Sequence, residues 1–110
     1  MELTFLGTQA QHPPSNTTYN MFFTVYILES NKDGNKYIGY TSNLRRRLEE
    51  HTSGQSFATS FRLPFKLIYY EGCTNRADAM RREKYLKTTQ GRRFLGLRLQ
   101  EYGRSKTAHA

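Results

Sequence analysis

The segment Tyr37–His51, YIGYTSNLRRRLEEH, decides the fold of this chain, because a strand, a turn and a helix follow one another within it. Lys36–Gly39 contains a β-favouring tyrosine and isoleucine and predicts a short strand. Asn43 is a residue type that often caps the start of a helix. The residues that then recur on one helical face are Leu44, Leu48 and His51. The segment therefore predicts a strand that leads into an amphipathic helix.

Two polar residues of this predicted helix lie beside its buried face. Arg47 directly precedes Leu48, and His51 lies about one turn further along the same side. An arginine and a histidine near the strand-borne Tyr37 can together grip and hydrolyse a phosphodiester, since a guanidinium matches phosphate oxygens better than an ammonium does. A simpler interpretation of His51 is that it interacts with the C-terminal end of its helix.

The charge of the chain favours a polyanionic partner. It has 17 Lys and Arg against 9 Asp and Glu, and every basic residue follows Met21. Nucleic acid is favoured over a membrane surface, because the sequence shows neither a long apolar run nor a strongly amphipathic basic helix. The alternative is that the charge serves solubility.

Length and cysteine content indicate one intracellular domain. A chain of 110 residues supports a single core. The lone Cys73 excludes an intrachain disulfide and a multi-cysteine zinc site, and it favours a reducing, cytoplasmic location. We expect a flexible lead-in over residues 1–20, a folded domain over 21–103 and a frayed tail over 104–110. The lead-in does not resemble a secretory signal, and Met21 is an alternative start.

Two further segments predict the rest of a sheet. Phe22–Glu29 is rich in β-branched and aromatic residues, and Asp33-Gly34 is a hairpin signal that returns the chain into the strand described above. After a long loop over Thr52–Pro64, the alternating pattern of Phe65–Glu71 predicts a third strand. A three-stranded antiparallel sheet is the expected result.

A second predicted helix, capped by Thr74 or Asn75, carries a carboxylate on the face that should be buried. Ala79, Glu83 and Leu86 recur at helical spacing along it. Burying a carboxylate costs several kcal/mol unless a cation compensates it. Glu83 therefore needs an arginine or a metal ion as its partner.

Gly91 is expected to break the chain after the second helix. The segment Arg92–Tyr102 then predicts a third helix, which packs Leu95, Leu99 and Tyr102 inward and has Gly103 as its C-terminal stop. The predicted fold class is α/β, more narrowly α+β, with a three-stranded antiparallel sheet flanked by three helices.

Several residues are candidate contacts to nucleic acid. Arg62 lies in the long loop, and Arg82 and Lys87 lie on or just after the second helix. Gly39 ends its strand without a side chain, which leaves room for the Arg47 head or for a phosphate to approach the backbone. The alternative for the helical cations is an ordinary solvated face.

An ordered series of residues resembles the signature of the GIY-YIG nuclease superfamily, in particular its small single-domain bacterial members. The second tyrosine element is intact as Tyr37-Ile38-Gly39, whereas the first, Thr24-Val25-Tyr26, keeps only the tyrosine. The resemblance extends over Phe22–Tyr102. The residues that carry it are Tyr26, Tyr37, Gly39, Arg47, His51 and Glu83.

This resemblance implies a metal-dependent endonuclease that acts on DNA in repair or recombination, alone or with a repair-protein partner. It implies that Tyr37 or Tyr26 orients or deprotonates the attacking water. Arg47 would stabilise charge on the phosphoryl group, and His51 would assist proton transfer. Glu83 would hold Mg²⁺, or Mn²⁺, with water and phosphate completing the coordination shell.

Two other functions are compatible with the same residues. The domain could bind nucleic acid without cutting it, or it could be a structural or regulatory protein whose basic surface docks on an acidic partner. The individual residues also have simpler interpretations: Tyr26 and Tyr37 as sheet aromatics, and Arg47 with Glu83 as a buried ion pair.

Overall fold

The computed structural model describes residues 22–56, 60 and 63–108. The expected lead-in over 1–20, Met21 and Arg62 lie outside these residues. The elements in the described part are β1 (Phe23–Ser30), β2 (Lys36–Thr41), α1 (Leu44–Thr52), β3 (Phe65–Cys73), α2 (Arg76–Leu86), α3 (Thr89–Arg98) and α4 (Gln100–Ala108).

The predicted three-stranded antiparallel sheet is confirmed, with strand order β2-β1-β3. The β1–β2 connection is the predicted turn, in which Gly34 has a φ of 75° and Asp33 Oδ1 accepts a hydrogen bond of 2.9 Å from the Asn35 amide. Because β1 pairs on both sides, it is the most buried strand. As the central strand, β1 is the element against which the others pack.

The two faces of the sheet have different roles. Tyr26 of β1 lies opposite Gly39 of β2, and Ile27 lies opposite Ile38, so neighbouring residues point to opposite faces. The face that bears Ile27 packs against α2 and α3. The buried apolar core there consists of Phe23, Val25, Ile27, Ile38, Ala79, Leu86 and Leu95. Tyr26 points to the other face and contacts α1.

Side-chain caps begin the first two helices where the sequence predicts them. Asn43 Oδ1 accepts a hydrogen bond from the Arg46 amide at the start of α1, at 3.1 Å. Asn75 does the same for the Asp78 amide at the start of α2, also at 3.1 Å, so Asn75 and not Thr74 is the cap.

The predicted break at Gly91 is wrong, because Gly91 lies inside the first turn of α3. The helix starts at Thr89, and its cap is Thr88, whose Oγ1 accepts from the Gly91 amide at 3.0 Å. Gly91 is buried against the end of α2, where a Cβ would lie 2.0 Å from the carbonyl oxygen of Tyr85. The glycine is needed for the close approach of two helices and does not end one.

The predicted stop at Gly103 is also wrong, whereas fraying over 104–110 stays a prediction. α3 ends at Arg98, and α4 continues through Gly103 to Ala108, so four helices flank the sheet in the described part of the chain. The buried residue Glu29 explains why α4 continues past Gly103. Its carboxylate accepts from the Tyr102 hydroxyl and lies 2.7 Å from Lys106 Nζ, so that β1 anchors α4.

Ionic contacts make Glu29 a stable anchor in spite of its burial. Burial alone would raise the pKa of its carboxyl, but hydrogen bonds from Lys106, Tyr102 and Lys36 outweigh it and hold the pKa below the usual value. Glu29 therefore stays ionised near neutral pH.

Over the described residues, no helix combines the length and apolar character needed to cross a membrane.

Gly91→Ala should destabilise the fold by about 2–3 kcal/mol, because the new methyl group overlaps backbone atoms that cannot move aside cheaply. The measurement is urea-induced unfolding followed by circular dichroism.

The matched control is Gly96→Ala in the same helix, where nothing lies within 4 Å of the new Cβ. That change should be neutral or stabilise by up to about 1 kcal/mol, because alanine favours helix more than glycine does. Equal effects of the two substitutions would contradict the packing role of Gly91.

Candidate active site

The side chain of Tyr26 is at the centre of a polar cluster. Its residue is only 1% exposed, although the side chain ends in a hydroxyl. That hydroxyl lies 2.9 Å from His51 Nε2 and accepts a longer hydrogen bond, 3.3 Å, from Arg47 Nε. A central strand thus supplies the tyrosine, and two successive turns of α1 supply its partners.

Gly39 is what allows Tyr26 to reach this position. A Cβ at Gly39 would lie 2.7 Å from the Tyr26 hydroxyl oxygen, 2.9 Å from its Cζ and 3.1 Å from Cε2 of Tyr37. The tyrosine side chain therefore crosses directly over the backbone of the edge strand β2. The space that we expected for a phosphate or for the Arg47 head beside Gly39 is filled by the Tyr26 ring.

Tyr37 closes the aromatic side of the cluster. Its ring meets the His51 ring edge-on at a centroid distance of 5.1 Å and lies 6.3 Å from the Tyr26 ring. Tyr37 is half-buried, whereas Tyr26 and His51 are buried. Tyr37 is therefore the ring of the three with the greatest access to solvent.

Arg47 is held by partners that keep it charged. Its Nη1 lies 2.7 Å from Glu50 Oε1, and this ion pair raises the pKa of the guanidinium, with further support from the hydroxyls of Tyr26 and Tyr37. The side chain retains 31% exposure, so part of the cation remains open to solvent. Sequence analysis missed Glu50, although its position three residues after Arg47 was an available signal.

The alternative of a buried ion pair between Arg47 and Glu83 is wrong. Within the part of the chain that the structure describes, the ion-pair partner of Arg47 is Glu50 and that of Glu83 is Lys87. Arg47 and Glu83 therefore have separate ion-pair partners.

The buried groups of the cluster are uncharged near neutral pH. Burial raises the pKa of Tyr26 to about 12 despite the hydrogen bond from Arg47. Burial also lowers the pKa of His51, and the positive charge of Arg47 lowers it further. Since Arg47 donates to the Tyr26 oxygen, the phenolic proton can be donated to Nε2 of neutral His51. His51 is therefore a neutral hydrogen-bond acceptor for the Tyr26 hydroxyl.

Glu83 approaches the same region from α2, which packs against β1 and β2. Its charge adds to the causes that raise the pKa of Tyr26, after burial and Tyr37. The Glu83 side chain is 19% exposed, and Lys87 Nζ lies 3.2 Å from its Oε2. The sequence predicted an arginine or a metal ion as the partner of Glu83, whereas the partner in the described residues is a lysine, Lys87.

The single carboxylate of Glu83 suits the binding of a hydrated hard cation. Among the described residues, no group of three or more His, Cys, Asp or Glu side chains could enclose a metal. A single carboxylate matches the way Mg²⁺ is often held, through one or two carboxylates plus water and substrate phosphate. The residues fit Mg²⁺ on those terms and do not form an all-protein metal cage.

The remaining predicted contacts that the structure describes, Arg82 and Lys87, are engaged with acidic side chains. Arg82 donates to both carboxylate oxygens of Glu71, at 2.8 and 3.3 Å, and stacks over Phe94 at 4.6 Å from the ring centroid. Its guanidinium joins β3 to α2 and α3, which is a packing role. Lys87 is engaged with Glu83, and Arg62 lies outside the described residues.

The order and geometry of these residues agree with a family comparison. Residues 22–95 match the family described as the GIY-YIG catalytic domain. This chain belongs to the GIY-YIG family. The matched residues include every member of the Tyr26 cluster and Glu83. The nuclease-type fold predicted from the sequence is therefore confirmed.

Relatives of this GIY-YIG protein include UPF0213 proteins of bacteria. One from Streptococcus pneumoniae serotype 4 is 48% identical over 64 residues, which cover 57% of this chain and 64% of the relative. One from Streptococcus agalactiae serotype V is 42% identical over 64 residues, covering 57% of this chain and 72% of the relative. The solution NMR structure of a UPF0213 protein from Bacillus halodurans is 36% identical, covers 68% of this chain and 82% of that one, and has a TM-score of 0.44.

Gly39→Ala should force the Tyr26 ring out of its position and destabilise the fold by about 1–3 kcal/mol. The measurement is again denaturant unfolding. In a Tyr26→Ala background the same glycine substitution should cost much less, because the ring that it would contact is absent.

Gly72→Ala on β3 is the control for this experiment, because the nearest atom to its new Cβ is a backbone oxygen 4.0 Å away. If Gly39→Ala were no worse than Gly72→Ala, Tyr26 would not depend on the glycine.

His51 should titrate below the usual histidine pKa of about 6.5, and Arg47→Gln should raise its pKa because a neighbouring positive charge is removed. Since the folded-state pKa lies below the unfolded one, the unfolded chain binds more protons between the two values. Stability should therefore be complete above about pH 6.5 and fall as the pH drops towards the folded-state value. The measurement is NMR titration of the His51 ring protons.

Arg46→Gln is the matched control for this titration, since Arg46 is 70% exposed on the same helix. It should move the His51 pKa less than Arg47→Gln does. A His51 pKa at or above the ordinary value in the native protein would be inconsistent with the buried neutral ring.

Proposed function

We propose that this protein is an endonuclease that hydrolyses DNA phosphodiester bonds with the help of Mg²⁺ or Mn²⁺, in DNA repair or recombination. The observation that carries the proposal is the convergence of Arg47 and His51 on the Tyr26 hydroxyl, with the Tyr37 ring in edge contact with His51. Membership of the GIY-YIG catalytic-domain family supports it.

Arg47 is the proposed phosphate-binding group. Phosphodiester hydrolysis places extra negative charge on the phosphoryl oxygens, and a fixed cation nearby stabilises that charge. Glu50 and Tyr26 hold the guanidinium in one orientation, while 31% of the side chain stays exposed. The cation is thus held in place before the substrate arrives.

Tyr37 is the proposed residue that orients the attacking water. It is half-buried beside the cluster, whereas Tyr26 is 1% exposed and its pKa is raised to about 12 by burial. Tyr26 is better suited to fixing the positions of Arg47 and His51 than to acting as a base. His51 is the proposed helper in proton transfer, because its neutral Nε2 lies at hydrogen-bond distance from the Tyr26 hydroxyl and can exchange a proton with it.

Glu83 is the proposed metal ligand. When bound, Mg²⁺ would supply positive charge for the phosphoryl and leaving oxygens. The protein contribution is one carboxylate, with water and DNA phosphate as the remaining ligands. Metal binding by the free protein should accordingly be weak.

DNA is the proposed substrate because the surface is strongly basic. The chain has a formal net charge of +8 and a pI near 9.9. Such a charge accelerates and strengthens binding to a polyanion and makes it sensitive to salt. No base-reading element is required by this proposal, and phosphate contacts suffice for binding without sequence preference.

A nucleic-acid-binding module without catalysis is the second candidate. The observation that favours it is the ion pair with Lys87 that occupies Glu83, the carboxylate assigned to the metal in the first proposal. Under this alternative the polar cluster would only shape a binding surface.

The test is cleavage of labelled duplex, single-stranded, flap, nicked and branched DNA in Mg²⁺ and in EDTA. We expect metal-dependent cleavage of at least one substrate, and a loss of about a thousandfold or more in Arg47→Ala, as for removal of an arginine clamp in phosphoryl transfer. Glu83→Ala should reduce the rate by a similar factor.

Arg46→Ala is the matched control, because it removes the same charge from the neighbouring exposed position. It should leave cleavage within a few-fold of the native rate. DNA binding without cleavage of any substrate would reject the endonuclease and support the binding module.

A further inference from the structure

The ion pair between Glu83 and Lys87 has a geometry that can open easily. Lys87 is the C-cap residue of α2, four positions after Glu83, and its side chain is 51% exposed. A pair of this spacing on a helix surface stabilises the protein only weakly. Once the pair is broken, water stabilises the ammonium almost as well as the carboxylate did. Moving the lysine away therefore costs little.

The carboxylate end of this pair is more restricted than the lysine end. Glu83 is only 19% exposed and lies between the buried residues Ala79 and Leu86 on α2. Its helix packs on the strands that carry Tyr26 and Tyr37. The carboxylate is thus the more buried member of the pair, and the ammonium is the more exposed one.

The same carboxylate cannot serve an ammonium and a divalent cation equally well. Lys87 Nζ lies 3.2 Å from Glu83 Oε2, which is where a metal would bind. Two cations at such a short distance repel each other, so Lys87 and the metal compete for Glu83. A DNA phosphate changes this balance, because it can accept the lysine and can also ligate the metal.

We propose that Lys87 is a displaceable counter-ion, which holds Glu83 in the free protein and moves to a DNA phosphate when nucleic acid binds. Divalent metal then binds well at Glu83 only when DNA is present. This inference rests on the proposed function, since it assigns the metal to Glu83. Lys87 thus limits the metal occupancy of Glu83 when no DNA is bound.

Binding linkage makes the coupling reciprocal. If DNA raises the affinity for metal by removing Lys87 from Glu83, metal must raise the affinity for DNA by the same factor. Lys87 is then a positioning residue, which acts through Glu83 and the phosphate and needs no contact with the reacting atoms.

The experiment measures Mn²⁺ binding to the whole protein through the electron paramagnetic resonance signal of the free ion. Native protein, Lys87→Gln, Lys84→Gln and Glu83→Gln are titrated without DNA, and again with a duplex of cleavage-resistant phosphorothioate linkages. Lys84→Gln is the matched control, because it removes an equal charge from an exposed position of the same helix.

Without DNA, Lys87→Gln should bind Mn²⁺ about three- to tenfold more tightly than native protein, because a repelling unit charge next to the site is gone. Lys84→Gln should change the affinity by less than about twofold, as expected for a charge screened by solvent. Adding DNA should raise the affinity of native protein by a factor at least about threefold larger than for Lys87→Gln. Glu83→Gln should abolish this binding.

Equal Mn²⁺ affinities of Lys87→Gln and Lys84→Gln would overturn the inference, as would unchanged binding in Glu83→Gln. These failures are distinguishable from failure of the proposed function. Metal-dependent cleavage with equal affinities rejects only the counter-ion role, whereas the predicted affinities without cleavage of any DNA reject only the endonuclease.

Discussion

The passage of the Tyr26 side chain over Gly39 is the constraint on which the site depends. A hydroxyl that starts from the central strand β1 reaches His51 and Arg47 because the edge strand has no side chain in its path. Any Cβ at that point would overlap the phenol. The backbone of β2 and the ring of Tyr26 thus form one packed unit, and α1 is positioned against it by two hydrogen bonds.

Two opposite electrostatic environments meet at this hydroxyl. Burial favours the neutral forms of Tyr26 and His51, whereas Glu50 keeps Arg47 charged at the solvent side of the same cluster. A neutral proton acceptor and a permanent cation therefore lie within one turn of α1. Such a pair suits the proposed chemistry, in which a proton is released while negative charge grows on a phosphoryl group.

The helical layer shows where sequence reasoning failed, and why. Gly91 and Gly103 were both interpreted as helix ends, since glycine weakens helices and often follows them. Gly91 instead lies inside α3, because the end of α2 packs too closely against it for a side chain. The helix α4 continues through Gly103 because Tyr102 and Lys106 bind Glu29. Both reasons involve contacts between distant segments, for which local propensity has no signal.

The sequence by itself determined the strands, the cap of the first helix, the basic character and the ordered series from Tyr26 to Glu83, because alternation, capping chemistry and charge are local properties. Only the tertiary structure decided that Gly39 accommodates a ring, that Glu50 is the partner of Arg47, and that Lys87 neutralises Glu83. It also assigned Arg82 to Glu71. Each of these depends on which of several available partners lies nearest in space, and the packing of helices on the sheet sets that distance.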